Sequence, residues 1–165
     1  MSRGFVKEGD QEDVPLVTAR AFLPPGVENF VTPEGFQELN EERDQILEER
    51  KQYEGVDNAD ARVNNNYLTA KLKQLDERIR TARVTRFDPA KQNEVAFGAT
   101  VKFKNLKTGA IAQYRIVGVD EAAIMKGKIS FLSPLCKALL NKKVGEITNF
   151  STPQGMMEIK ILEIS

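Results

Sequence analysis

Two carboxylates three residues apart form the pattern in the sequence with the clearest chemical potential. Asp57 and Asp60 lie in the segment 55–60, between two long helical patterns. Such a pair can share a hard cation such as Mg²⁺, but two ligands alone bind it weakly because Mg²⁺ keeps its waters and requires further ligands. A simpler interpretation is that Asp60 caps the second helix and Asp57 only solvates the turn. The spacing alone leaves both interpretations open.

Absent residue types exclude most other chemistry. The chain has 165 residues, no histidine and a single cysteine, Cys136. Ser-His-Asp catalysis, Cys-His catalysis and structural zinc sites are therefore excluded. Next to Leu135 and Leu139, Cys136 is expected to be a small buried hydrophobe rather than a reactive thiol. Without an intramolecular disulfide, a membrane-length apolar run or a secretory signal, we expect a cytoplasmic protein with no membrane attachment.

The charge is unevenly distributed along the chain. The 24 basic and 24 acidic residues cancel, yet residues 1–88 carry 13 basic and 18 acidic side chains and residues 89–165 carry 11 and 6. This division indicates two bodies, the second of which could face an acidic or nucleic-acid-bearing partner. Chance variation in surface charge is the alternative. Aromatic residues make up only 7% of the chain and form no stacking platform with basic residues, so direct nucleic-acid binding is weakly indicated.

Residues 32–87 predict an antiparallel helical hairpin. Thr32 is typical of an N-cap, and Pro33 of a first helical position. Seam positions recur in steps of three and four at Phe36, Leu39, Arg43, Ile46, Arg50 and Tyr53, and then at Ala61, Asn65, Leu68, Leu72, Leu75, Ile79 and Ala82. Residues 34–54 hold eight acids and three bases, whereas residues 62–86 hold two acids and seven bases. Opposite charges across the seam favour pairing within one chain, so we expect a monomer.

The rest of the chain predicts an arm and a small sheet, which makes the fold class α+β. Residues 1–31 read as an extended arm, mobile unless it docks. Residues 88–165 predict a C-terminal globular domain whose antiparallel strands surround one short helix at 134–140, capped by Ser133 with Pro134 following. The strands are expected at 95–103, 111–117, 129–131, 147–150 and 156–164.

Several segments together resemble the GreA/GreB family of bacterial transcript cleavage factors. In the second half they follow the family's order at Phe97–Val101, Tyr114–Gly118, Asp120–Ala122, Ile129–Ser130, Ser133–Pro134, Ala138–Leu140, Lys143–Glu146 and Thr152–Gly155. Thr32–Phe36 is similar to the start of the family's first helix. Tyr67–Arg80 and the arm are similar to GreB-like paralogues.

This resemblance implies an FKBP-like C-terminal domain and a transcription elongation factor that is not itself an enzyme. In the family the globular domain docks at the rim of the RNA polymerase secondary channel, and the coiled coil enters the channel. Its tip acids help hold a second Mg²⁺ at the polymerase active site, so the factor has no cofactor of its own and meets nucleic acid only through the elongation complex. Asp57 and Asp60 are the candidate tip acids. Ser133, Pro134, Lys142 and Lys143 are the candidate polymerase-binding residues.

Two departures from the family bear on cleavage. The family's Asp-x-x-Glu tip is matched here only by Asp57 and Asp60, and an alignment shifted by one residue places Asn58 and Ala61 there instead. From Thr32 to the tip the chain is about nine residues shorter than the family pattern, or roughly 10 to 14 Å of helix. A channel regulator that does not stimulate cleavage is therefore the alternative. A prolyl isomerase and a coiled-coil adaptor are two further alternatives.

Overall fold

The computed structural model describes residues 15–165. Its three helices are α1 (Pro33–Lys51), α2 (Ala59–Thr81) and α3 (Pro134–Leu139), and one 3₁₀ turn spans Ile124–Lys126. The strands are β1 (Asn29–Val31), β2 (Ala82–Val84), β3 (Thr100–Asn105), β4 (Ile111–Val117), β5 (Lys128–Ser130), β6 (Ile147–Thr152) and β7 (Gly155–Ile164). Helices and sheet occupy separate parts of the chain, which confirms the α+β class.

The predicted hairpin is present, with its apolar seam inside. The N-terminus of α1 is capped by Thr32, whose hydroxyl oxygen accepts a hydrogen bond from the Gly35 N–H at 2.9 Å. The two helices bury one continuous cluster, and its fully covered members are Val31, Leu39, Ile46, Leu68, Leu72 and Leu75. All but Val31 are predicted seam positions. The seam assignment is therefore confirmed.

The base of the hairpin differs from the prediction at one point. The predicted helical seam reaches Ala82, and residues 1–31 were predicted as an extended arm, but α2 ends at Thr81. Residues 82–84 form β2, which pairs in parallel with β1. The extended pairing prevails over helical propensity because β1 also packs against the C-terminal domain, so that tertiary contacts decide the local structure. Residues 1–14 of the predicted arm lie outside the described residues.

The C-terminal sheet has five strands in the order β5-β4-β3-β7-β6. Three of its four neighbouring pairs are antiparallel, as predicted, but β4 and β5 are parallel. The prediction of a purely antiparallel sheet is therefore wrong at this edge. Residues 118–127, including the 3₁₀ turn, carry the chain back so that β5 runs in the direction of β4.

One face of this sheet buries the second core of the molecule. Its largest fully buried side chains are Val95, Val101, Ile116, Leu139, Ile159 and Ile161, and Cys136 lies among them. Helix α3 supplies Cys136 and Leu139, so the short helix covers the sheet as expected. No helix in the described part of the chain is both long and apolar enough to cross a membrane.

Candidate functional site

The loop at the end of the hairpin presents two exposed carboxylates. Asp57 lies in the loop and Asp60 in the first turn of α2. The cap of α2 is Asn58, whose side-chain oxygen accepts a hydrogen bond from the Ala61 N–H at 2.8 Å. The interpretation of Asp60 as the helix cap is therefore wrong. Within residues 15–165 no hydrogen bond or ion pair engages either carboxylate, so both are free to approach a partner.

The two tip acids do not make a metal site by themselves. No group of three or more potential metal-ligating side chains occurs among the described residues. A hard divalent cation takes six or more oxygen ligands. The tip can therefore add carboxylate oxygens only to a cation that another molecule already holds.

Polar contacts also cross the seam between tip and base. Arg43 Nε lies 2.8 Å from Asp76 Oδ1, and Arg50 Nε donates a hydrogen bond to Asn65 Oδ1 at 3.3 Å. The predicted seam positions Arg43, Arg50 and Asn65 thus contact the opposite helix. With 19 residues, α1 is about 28 Å long. The hairpin is a rod of that length with its acids at the far end.

A buried hydrogen bond fixes the base of the rod to the C-terminal domain. The Thr32 hydroxyl donates to Glu121 Oε2 at 2.5 Å, and both residues are buried. Lys128 Nζ lies 3.4 Å from Glu121 Oε1. Arg115 Nη2 lies 3.0 Å from Glu34 Oε2. The pKa of Glu34 is lowered, first by its own backbone N–H and further by Arg115.

Two glycines allow the domains to approach this closely. A Cβ at Gly118 would lie 2.5 Å from the Phe30 carbonyl oxygen, and one at Gly35 would lie 2.4 Å from Glu121 Oε2. Both distances are well below van der Waals contact, and the Phe30 oxygen belongs to the backbone. Gly118 and Glu121 both belong to the segments that carry the family resemblance. Part of that motif therefore builds the joint between the domains.

The candidate polymerase-binding residues lie at the two ends of α3. Ser133 caps the helix, accepting a hydrogen bond from the Cys136 N–H at 3.2 Å, and Pro134 is exposed at its first position. The Lys142 carbonyl accepts from the Val95 N–H at 2.8 Å. Lys143 Nζ lies 3.6 Å from Glu94. The structure thus gives Ser133 a capping role and leaves Pro134 and Lys143 on the surface.

Two features were missed by sequence reasoning. Ile124 and Met125, on the 3₁₀ turn, are 71% and 98% exposed, and the adjacent apolar pair was the only available signal. Arg20 contacts both α1 and the C-terminal domain. A single arginine in an irregular arm forms no sequence pattern from which its contacts with both domains could be predicted.

Comparison with known proteins gives consistent matches. The family model "Transcription elongation factor, GreA/GreB, C-term" matches residues 90–165. Transcription elongation factor GreA of Thermodesulfovibrio yellowstonii is 34% identical over 152 residues, covering 82% of this chain and 95% of that protein. Its counterpart from Amoebophilus asiaticus is also 34% identical over 152 residues, covering 83% and 97%. The solved GreA factor homolog 1 of Thermus thermophilus aligns over 84% of this chain and 99% of that chain, at 21% identity and a TM-score of 0.41.

The curated relatives span hairpin and C-terminal domain alike, so the match is not confined to one domain. They confirm the prediction of a transcription elongation factor that is not an enzyme in its own right. The similarity of Tyr67–Arg80 and the arm to GreB-like paralogues stays a prediction. Because these factors are 34% identical to the chain and match it over more than four fifths of its length, we conclude that the chain belongs to the GreA/GreB family of transcription elongation factors.

Proposed function

We propose that this elongation factor is a monomer that binds RNA polymerase at its secondary channel, with the hairpin inside the channel and the C-terminal domain at the rim. The observation that carries the proposal is that Asp57 and Asp60 are exposed at the far end of the hairpin, whose base is fixed to the C-terminal domain. In this arrangement the tip lies farthest from the base, where it can reach into a narrow opening. Nucleic acid would be met only through the elongation complex.

At the polymerase active site, Asp57 and Asp60 would add negative charge and oxygen ligands to a Mg²⁺ that the polymerase holds. That second Mg²⁺ would supply Lewis-acid chemistry for hydrolysis of backtracked RNA. The tip suits this role because both carboxylates are exposed and make no hydrogen bond or ion pair within residues 15–165. Two ligands are too few for a metal site that the factor could form alone. The factor would therefore need no resident cofactor.

A second candidate function is a channel regulator that does not stimulate cleavage. The length of the rod favours it, because α1 ends at Lys51 and the resemblance implies about nine further residues. A shortfall of roughly 10 to 14 Å would keep the carboxylates away from the cation. Misplacement by about 1 Å can already cost about 100-fold in rate. Cleavage then requires the C-terminal domain to lie deeper in the channel.

RNA cleavage in a stalled, backtracked elongation complex separates the two functions. Wild-type protein should stimulate cleavage, and Asp57→Asn with Asp60→Asn should abolish it without loss of polymerase affinity. A matched control, Asp44→Asn with Glu49→Gln, removes two exposed charges from the rod and should retain stimulation. If the wild type binds but only competes with a cleavage-active Gre factor, the second function holds. Equal stimulation by the tip variant would contradict the role of the acids.

Docking at the rim is tested separately with charge reversal. Lys142→Glu with Lys143→Glu should weaken polymerase binding, and the loss should be larger at low salt because exposed charges are screened at high salt. Lys104→Glu with Lys107→Glu changes two exposed lysines, one near the end of β3 and one in the turn that follows it, and should bind normally. Equal losses from both pairs would indicate a general charge effect rather than a docking surface.

A further inference from the structure

Arg20 joins three parts of the molecule through one guanidinium group. Its Nη1 and Nη2 donate to the two carboxylate oxygens of Glu42 on α1, at 2.8 and 3.0 Å. Its Nε donates to Asp120 Oδ1, in the segment after β4, at 2.9 Å. The side chains of Arg20 and Asp120 are only 16% and 9% exposed. The arm is thereby linked to the hairpin and to the C-terminal domain at the same point.

Arg78 adds the second helix to this cluster. Its Nε lies 3.5 Å from Asp120 Oδ2, and its guanidinium donates to the Ala21 carbonyl. At that distance the contact with Asp120 is an ion pair without a hydrogen bond, and Oδ2 accepts none within residues 15–165. Arg20 therefore supplies the side-chain hydrogen bond to the Asp120 carboxylate. Its removal would leave a nearly buried charge poorly compensated, which is strongly unfavourable.

The arm is also held firmly at its far end. The Asn29 side-chain amide donates to the Arg78 carbonyl at 2.9 Å, and β1 pairs with β2. Phe30 packs against Phe97 and Phe131 of the C-terminal domain, with ring centroids 5.6 and 5.7 Å apart. The segment from Arg20 to Phe30 thus contacts both domains at each end. The pKa of Arg20 is raised by Glu42 and Asp120, in keeping with a well-formed charge cluster.

Other ion pairs across the same joint are more exposed. Arg115–Glu34 and Lys128–Glu38 each include a glutamate more than half exposed, and such pairs contribute little. A rotation of about 10° at the base of a 28 Å rod would move its tip by about 5 Å. The buried Thr32–Glu121 hydrogen bond fixes one point of this joint, so a second restraint is needed to stop the rod from rotating about that point.

We propose that Arg20 is a positioning residue, through which the arm clamps the hairpin to the C-terminal domain and sets the direction of the tip. The clamp itself is a property of the free protein. Its consequence for presenting Asp57 and Asp60 to the polymerase rests on the proposed function. Asp120 is the matching group on the C-terminal domain, so loss of either partner should release the same restraint.

The test is the distance between tip and C-terminal domain in the full chain, measured by double electron–electron resonance. Spin labels at Val56→Cys and Lys107→Cys, in a Cys136→Ala background, report the angle between rod and domain. Arg20→Gln and Asp120→Asn should each shift or broaden the distribution by about 5 Å, as a 10° rotation requires. The double variant should add little, because both changes break one contact.

Arg80→Gln is the matched control, since Arg80 pairs with Glu77 on the exposed face of α2, and it should leave the distribution unchanged. Arg20→Lys keeps the positive charge but loses the paired guanidinium hydrogen bonds to Glu42. It provides a milder variant if circular dichroism shows that Arg20→Gln is unfolded. It should broaden the distribution less than Arg20→Gln. Wild-type distances in folded Arg20→Gln, or in Arg20→Lys where Arg20→Gln does not fold, would overturn the clamp. Because no polymerase is present, that result would leave the proposed function intact, and failure to bind polymerase would leave the clamp intact.

Discussion

Leu75→Ala should destabilise the hairpin strongly, because Leu75 is completely buried against both helices. The change removes three carbons, which at about 0.8 kcal/mol each is about 2.4 kcal/mol of lost transfer free energy. The cavity that remains raises the expected cost to about 3 to 4 kcal/mol. Val31, Leu39 and Leu72 belong to the same cluster, so the cost depends on how far these side chains can move inward.

Urea unfolding followed by helical circular dichroism measures this cost. With a slope of about 2 kcal/mol per molar urea, the midpoint should fall by roughly 1.5 to 2 M. Val63→Ala is the matched control, because Val63 lies on the same helix but is 64% exposed. Its effect should stay within about 0.5 kcal/mol. Equal effects of the two substitutions would refute the assignment of Leu75 to the seam.

Two further predictions concern the helix cap and the cysteine. Asn58→Ala should lower the free energy of unfolding by about 1 kcal/mol and speed hydrogen exchange of the Ala61 amide, as measured by nuclear magnetic resonance. Asp60→Asn should do neither. The reverse order of effects would restore Asp60 as the cap of α2. Burial raises the pKa of Cys136 to about 12, so native protein should resist alkylation at pH 8 and react only when unfolded. Since the neutral thiol is the form favoured by folding, its contribution to stability should be lost as the pH rises from about 9 toward 12. Rapid alkylation of the native protein would contradict this burial.

The local patterns of the hairpin were predictable because they depend on residues close together in sequence. Thr32 with Pro33 marked the start of α1, and the apolar steps of three and four marked the buried seam. The cap of α2 was harder to assign, since Asn58 and Asp60 are both good capping residues two positions apart. Only the three-dimensional path of the loop decides between them, and it selects Asn58.

Features that depend on distant partners could not be predicted from the sequence. A three-residue strand such as β5 shows no pattern that distinguishes parallel from antiparallel pairing, so the edge of the sheet was assigned wrongly. The early end of α2 at Thr81 depends on β1, more than 50 residues earlier. Arg20 and Asp120 are 100 residues apart, and neither stands out by type or spacing. The tip acids, by contrast, were visible as a pair, although their role depends on a partner.

Photocrosslinking from the tip shows directly whether the hairpin enters the secondary channel. A benzoyl-phenylalanine in place of Val56, which is exposed beside Asp57, would be activated in a stalled elongation complex and the crosslinked polymerase residues mapped. We expect crosslinks to residues lining the secondary channel, whether or not RNA cleavage is stimulated. The same crosslinker at Lys142, a candidate docking residue of the C-terminal domain, should label only the outer rim. Crosslinks from Val56 to the outer surface of the polymerase, or none above the level of free label, would contradict the claim that the hairpin enters the channel.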